Sequence, residues 1–220
     1  MLLSPFYIGN NIYREVNGLK YISYLLIIVG VIFLSVFGYQ YYQNEQNTKN
    51  SLAEAQNRIA QGQENNEKDK GASSDTSDNN NNNSESLQVD DGEAFATLDI
   101  PKLGKTLPIV EGTDPDSLDK GIGHLSNSVL PGENEQIVLS GHRDTVFRNF
   151  DQIEVGDQFT VNMPGGSHTY EIRETEIVPE DDTSVIREMG EEALVVTTCY
   201  PFSYVGSAPD RFVTYAYPVD

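Results

Sequence analysis

Residues 195–212 read VVTTCYPFSYVGSAPDRF. A β-branched apolar run ends at Cys199, the single cysteine of the 220-residue chain. Tyr200-Pro201, Gly206 and Pro209 then form a turn-rich stretch, and Arg211-Phe212 opens a second β-branched run. This pattern predicts two strands joined by a loop over 200–210. If the strands are antiparallel neighbours, Cys199 and Arg211 lie at the same end of the sheet. A guanidinium there favours negative charge on sulfur and can donate hydrogen bonds to a developing oxyanion. The plainer alternatives are a small buried thiol in the core and an ordinary surface arginine.

The same strand signals extend from Ala94 to the C-terminus, in TLDI, LPIV, QIVLS, QFTVNM, HTYEIRE and RFVTYAYPV. Seven or eight short strands in this span predict an all-β barrel or sandwich. Two short segments read as helical. DPDSLDKGIG is one; DDTSVIREMG, with an Asp/Thr start and a Gly stop, is the other.

Upstream, residues 21–39 (YISYLLIIVGVIFLSVFGY) carry no charge. As a helix this run is roughly 29 Å long, enough to cross a hydrocarbon core of about 30 Å. Tyrosines gather at both ends, where amphipathic rings favour the membrane boundary. A cleaved signal peptide would have a shorter apolar region and a small-x-small site, and Gln40-Tyr41-Tyr42-Gln43 has no small residues. Arg14 and Lys20 precede the span, and no Lys or Arg follows until Lys49. The expected division is a cytoplasmic segment 1–20, a membrane anchor 21–42, a flexible extracellular tether 43–93, and a folded domain 94–220. The tether is rich in Asn, Gln, Ser and acidic residues, which cannot bury enough apolar surface to offset ordering entropy. About fifty such residues reach roughly 40 Å. Within it, SLAEAQNRIAQ could form a short helical stalk through Leu52, Ala55 and Ile59.

A net charge of −20 disfavours nucleic acid as a partner. A lone cysteine forms no intrachain disulfide and is too few for a structural zinc site. The acidic stretch VPEDDTSVI reads as helix capping by Asp182 or Thr183 rather than as a calcium site, so no metal or other cofactor is expected.

A thiolate enzyme needs a proton carrier. His168 falls in an expected hairpin turn, NMPGGSHTY, and His124 in a loop, GIGHLSNS. His142 follows Gly141 at the end of a β-branched strand, QIVLSGHRDTVF, the same placement as Cys199, so position favours His142.

Taken together, TTCYPFSYVGSAPDR, SGHRDTVFRNF and LDIPKLGKTLPIVEGTD resemble the sortase family, and Cys-Tyr-Pro-Phe with Tyr-Val-Gly-Ser-Ala-Pro most resembles its class D branch. The resemblance covers about residues 94–218. It implies a closed eight-stranded β-barrel and a membrane-anchored cysteine transpeptidase acting on LPxTG-type sorting signals. It implies Cys199 as nucleophile, His142 as general acid/base, Arg211 as oxyanion or substrate stabiliser, and Thr198 as a residue touching the sorting peptide. Its implied partners are sorting-signal proteins and an amine on a peptidoglycan precursor or the wall. Val195-Val196 stands where the family motif has Thr-Leu, a mild departure. A cysteine-type L,D-transpeptidase would keep its histidine close before the cysteine, whereas 57 positions separate His142 from Cys199. A non-enzymatic tethered binding domain is the remaining alternative.

Overall fold

The computed structural model describes residues 9–70, 89–203 and 206–219, with side chains described from Lys20 to Glu64 in the N-terminal helix. The chain forms two compact units that divide between Glu45 and Gln46.

In the first unit, helix α1 (Gly9–Lys70) begins. Its apolar residues between Tyr21 and Tyr42 are exposed. An 18-residue window there has a mean hydropathy of 2.4, which makes this part of α1 a candidate membrane span. The expected cytoplasmic segment lies partly outside the described residues, and the run DNNNNNSES at 78–86 wholly so.

The second unit contains the rest of α1 and a closed barrel. Residues 43–70, expected in a flexible tether that could carry a short helical stalk at SLAEAQNRIAQ, are helical throughout, so the helix extends beyond that stalk on both sides. Two causes act together. The segment is rich in Ala, Gln, Glu, Lys and Arg, which lose little side-chain freedom in a helix. It also has something to pack on: Ala55 is fully buried in a cluster with Ala94 and Val110. Arg58 donates to Glu93 at 2.8 Å, and that cation holds the Glu93 carboxyl below its ordinary range. At Gly62 a Cβ would lie 2.5 Å from the Pro164 Cβ, so only glycine permits this approach.

The barrel strands are β1 (Ala94–Ile100), β2 (Lys105–Glu111), β3 (Ile122–His124), β4 (Gln136–Gly141), β5 (Gln158–Met163), β6 (Gly166–Pro179), β7 (Ala193–Tyr200) and β8 (Asp210–Pro218). They close in the order β1-β2-β3-β4-β7-β8-β6-β5. The pairs β2–β3 and β4–β7 are parallel and the others antiparallel. The expected eight-stranded barrel is therefore the observed fold.

Strand β7 explains why a continuous β-branched run was needed. Successive side chains point to opposite faces. Leu194 and Val196 enter the main core with Ile137, Leu139, Phe150 and Phe159. Val195 enters a second cluster with Val138, Val178, Val213 and Tyr215. Residues 180–190 cover that second face through Val185 and Met189.

Of the two expected helices, the first is present as the single turn α2 (Pro115–Leu118), capped by Asp114, whose carboxylate accepts from the amides of Asp116 and Ser117. The second is absent: DDTSVIREMG is a series of turns. Its backbone groups find partners outside the segment. Glu135 accepts from the amides of Met189 (2.6 Å) and Gly190. Gln136 accepts from the Arg187 amide and donates to the Val185 carbonyl. The Asp182 carboxylate accepts from the Ser184 amide, closing a local turn rather than capping a helix.

Candidate active site

Parallel pairing of β4 with β7 aligns Gly141 with Thr198. The next residue of each strand is His142 and Cys199, so the two arrive at one rim side by side. Strand β8 runs back from that rim, and its register partner for Cys199 is Arg211. Three residues distant in sequence thus meet because one parallel and one antiparallel pair share β7.

Cys199 has the parity of Val195, not of the inward Leu194 and Val196. It is half-buried and unpaired. Together with His142, Arg211, Arg143, Asp144, Thr145, Gly206, Ser207 and Ala208 it lines a cleft of about 280 Å³. A core thiol is therefore not what the fold contains. A neighbouring hollow of about 260 Å³ shares Arg143 and Asp144 and is walled by Phe147 and Phe202.

His142 is exposed at the start of a tight turn. Its carbonyl accepts from the amides of Phe147 (3.1 Å) and Thr145 (3.4 Å). The turn folds back because Gly141 lacks a side chain: a Cβ there would stand 2.5 Å from the Phe147 ring. Lys105 holds the far side of the turn, donating to the carbonyls of Val146 and Arg148. Burial, and then the Arg148 charge, hold its ammonium below the ordinary value.

Arg211 is oriented by its surroundings. Nη1 donates to the carbonyls of Ala208 (3.2 Å) and Asp210 (2.9 Å), and Nη2 pairs with Glu180 at 3.3 Å. A guanidinium has five N–H groups. Three bonds leave two donors without a partner among the described residues.

The other histidines are placed elsewhere. His124, expected in a loop, ends strand β3 and is 3% exposed. Its ring nitrogens lie 2.7 Å from Glu111 and 3.1 Å from both Ser128 Oγ and the Val129 carbonyl. Pairing on both sides, with β2 and β4, makes it a strand residue. His168 is half-exposed in β6, opposite Val161. Neither lines the cleft.

Thr198 is 2% exposed. Its hydroxyl donates to the Gly141 carbonyl at 2.7 Å. The sequence reading gave it a peptide contact; in the fold its side chain ties β7 to β4. Arg143 carries no role in the sequence pattern beyond its place in SGHRDTVFRNF. It is 7% exposed and reaches the carbonyl of Pro201. The only sequence signal for it is a charged residue beside the histidine.

Among the described residues, no group of three or more His, Cys, Asp or Glu side chains is placed to hold a metal ion.

The family model of the sortase domain matches residues 98–219. Sortase D of Bacillus subtilis (strain 168) is 43% identical over 197 residues, covering 89% of this chain and 96% of that protein. Among solved structures, a Clostridium perfringens Sortase D5 transpeptidase superposes with a TM-score of 0.63 at 27% identity, over 80% of this chain and 99% of the other. The catalytic domain of Bacillus anthracis SrtD gives a TM-score of 0.52 at 37% identity, over 67% and 97%. The chain belongs to the sortase family of cysteine transpeptidases.

Proposed function

We propose that this sortase cleaves an LPxTG-like sorting signal, holds the released protein as a thioester on Cys199, and transfers it to an amine of the cell wall or its precursor. The observation that carries the reading is the shared rim: Gly141 aligned with Thr198 on one side of β7, and Cys199 aligned with Arg211 on the other.

In the first half-reaction the Cys199 thiol proton passes to His142 and Sγ attacks the carbonyl carbon of the motif threonine. The oxygen gains negative charge and is met by the free N–H groups of Arg211. His142 gives a proton to the departing amine, the peptide bond breaks, and a thioester remains. In the second half-reaction an amine attacks the thioester carbon. His142 takes the amine proton, sulfur leaves, and a new peptide bond forms. Transfer wins over hydrolysis only if water is kept from the thioester.

The apolar part of α1 is read as a single-pass anchor, with the N-terminus cytoplasmic and the barrel outside. Anchoring enzyme and membrane-held substrates to one surface raises the concentration of each for the other. No metal is part of this reading, in which the Asp182 carboxylate serves its own turn. Activity that fell on chelation and returned with calcium would contradict this last point.

The second reading, a tethered binding domain, is disfavoured because the thiol lines a cleft with His142 and Arg211. One experiment separates the two. Incubating the protein with a quenched LPxTG peptide and an amine should give cleavage, an amine-linked product, and a mass adduct on Cys199. In Cys199→Ala all three should vanish with the melting temperature retained. Cleavage that survived in that variant would end the proposal.

A further inference from the structure

Two hydrogen bonds flank the Cys199–His142 pair, one on each side. Thr198, the residue before Cys199, donates through Oγ1 to the carbonyl of Gly141, the residue before His142, at 2.7 Å. Arg143, the residue after His142, donates through Nη1 to the carbonyl of Pro201, two residues after Cys199, at 2.6 Å. The first tie runs from β7 to β4 and the second from the β4 end to the loop beyond β7.

The side chains that make both ties are buried. Thr198 is 2% exposed and Arg143 7%. Burying a guanidinium is costly unless its donors are satisfied. Arg143 meets this with a two-pronged contact to Asp144, Nε at 3.2 Å and Nη2 at 3.1 Å, and with the Pro201 carbonyl. The Asp144 side chain is 75% exposed, so it would pair equally well with an arginine left in solvent. The contact that requires burial is the one to Pro201. Lysine cannot reproduce it: one ammonium lacks the planar fork that serves Asp144 and Pro201 together.

We propose that Thr198 and Arg143 are positioning residues which fix the separation of the Cys199 sulfur and the His142 ring. Neither is offered as a group that touches the reacting atoms. This gives Thr198 a different task from contacting the peptide, and gives Arg143 a task where the sequence suggested none. The proposal rests on the reading of Cys199 and His142 as nucleophile and acid/base. Misplacing such groups by about 1 Å can cost on the order of 100-fold in rate.

The test uses the full chain in detergent and four forms: wild type, Thr198→Val, Thr198→Ser and Arg143→Lys. Three quantities are read: melting temperature, kcat and KM for a sorting peptide, and the pH profile of Cys199 alkylation by iodoacetamide. Thr198→Val and Arg143→Lys should lower kcat by about 10- to 100-fold with KM little changed. Both should displace the alkylation profile, while Thr198→Ser restores the wild-type values. Melting temperatures should fall by a few degrees, with every variant still folded at the assay temperature.

A raised KM at unchanged kcat in Thr198→Val would make Thr198 a peptide contact and overturn the proposal for it. Unchanged kinetics in both variants would overturn it outright. So would activity losses that merely track loss of fold. If the wild type itself failed to cleave any sorting peptide, the proposed function would fall; the alkylation profiles would still report whether the two ties govern the thiol.

Discussion

Cys199 and Arg211 are register partners across the β7–β8 pair, and both line one cleft. Cross-strand partners have Cβ atoms about 4.5–5.5 Å apart, so their spacing is a property of the sheet and not of a mobile loop. The Ala208 and Asp210 carbonyls then aim the guanidinium.

Arg211→Lys should therefore keep the charge and lose most of the activity. The variant keeps neither the paired carbonyl contacts nor two free N–H groups. Loss of an oxyanion donor costs about 100- to 1,000-fold in kcat. Steady-state kinetics on a sorting peptide check this.

Gly141→Ala should destabilise the barrel and slow the enzyme together. The added methyl group meets the Phe147 ring, which is fully buried in the core. Overpacking of this kind costs about 1–3 kcal/mol. Denaturant unfolding measures the first effect and peptide cleavage the second. A wild-type midpoint would show that the turn after β4 can shift freely.

Much of this rim was legible in sequence. The β-branched run ending at Cys199, the turn residues after it and the run beginning at Arg211 mark two strands and a loop; that the strands pair antiparallel is shown by the fold. The glycine before His142 marks the end of β4 in the same way. Less legible were features that depend on distant side chains. DDTSVIREMG has good helix punctuation, yet Glu135 and Gln136 satisfy its backbone and leave it as turns. His124 looks like a loop residue because β3 is only three residues long and draws its order from neighbours on both sides. The task proposed for Arg143 depends on Pro201, 58 positions away.

Acid should loosen the 180–190 cover before the barrel melts. The Met189 amide, with those of Gln136 and Gly190, holds the Glu135 carboxyl below its ordinary range. A carboxyl with a lowered folded value releases its proton more readily when folded, so the unfolded chain binds more protons in acid. The stabilisation is complete above the unfolded value, about 4.3, and is lost as pH falls through the folded one. Protection factors of the Met189 and Gly190 amides, taken relative to the intrinsic exchange rate at each pH, should fall over that window. Glu135→Gln should remove most of the pH dependence, and an unchanged profile in it would refute the assignment.

Removing α1 should cost the barrel stability. A chain beginning at Ala94 exposes the buried faces of Ala94 and Val110 and drops the Arg58–Glu93 pair. Gly62→Leu tests the same contact in the full chain, because its side chain collides with Pro164; a loss of about 1–3 kcal/mol is expected. Matching thermal midpoints for the Ala94-start chain and the longer chain would show that the helix adds nothing.

The contacts of Ala55 with Ala94 and of Arg58 with Glu93 join points that lie on opposite sides of residues 71–88. Proteolytic cleavage anywhere between those numbers would break the covalent path while leaving the non-covalent seam in place. The barrel would then be held to its helix only by three small buried side chains and one partly exposed ion pair, so a nicked sample run on a native column would read the strength of that seam directly.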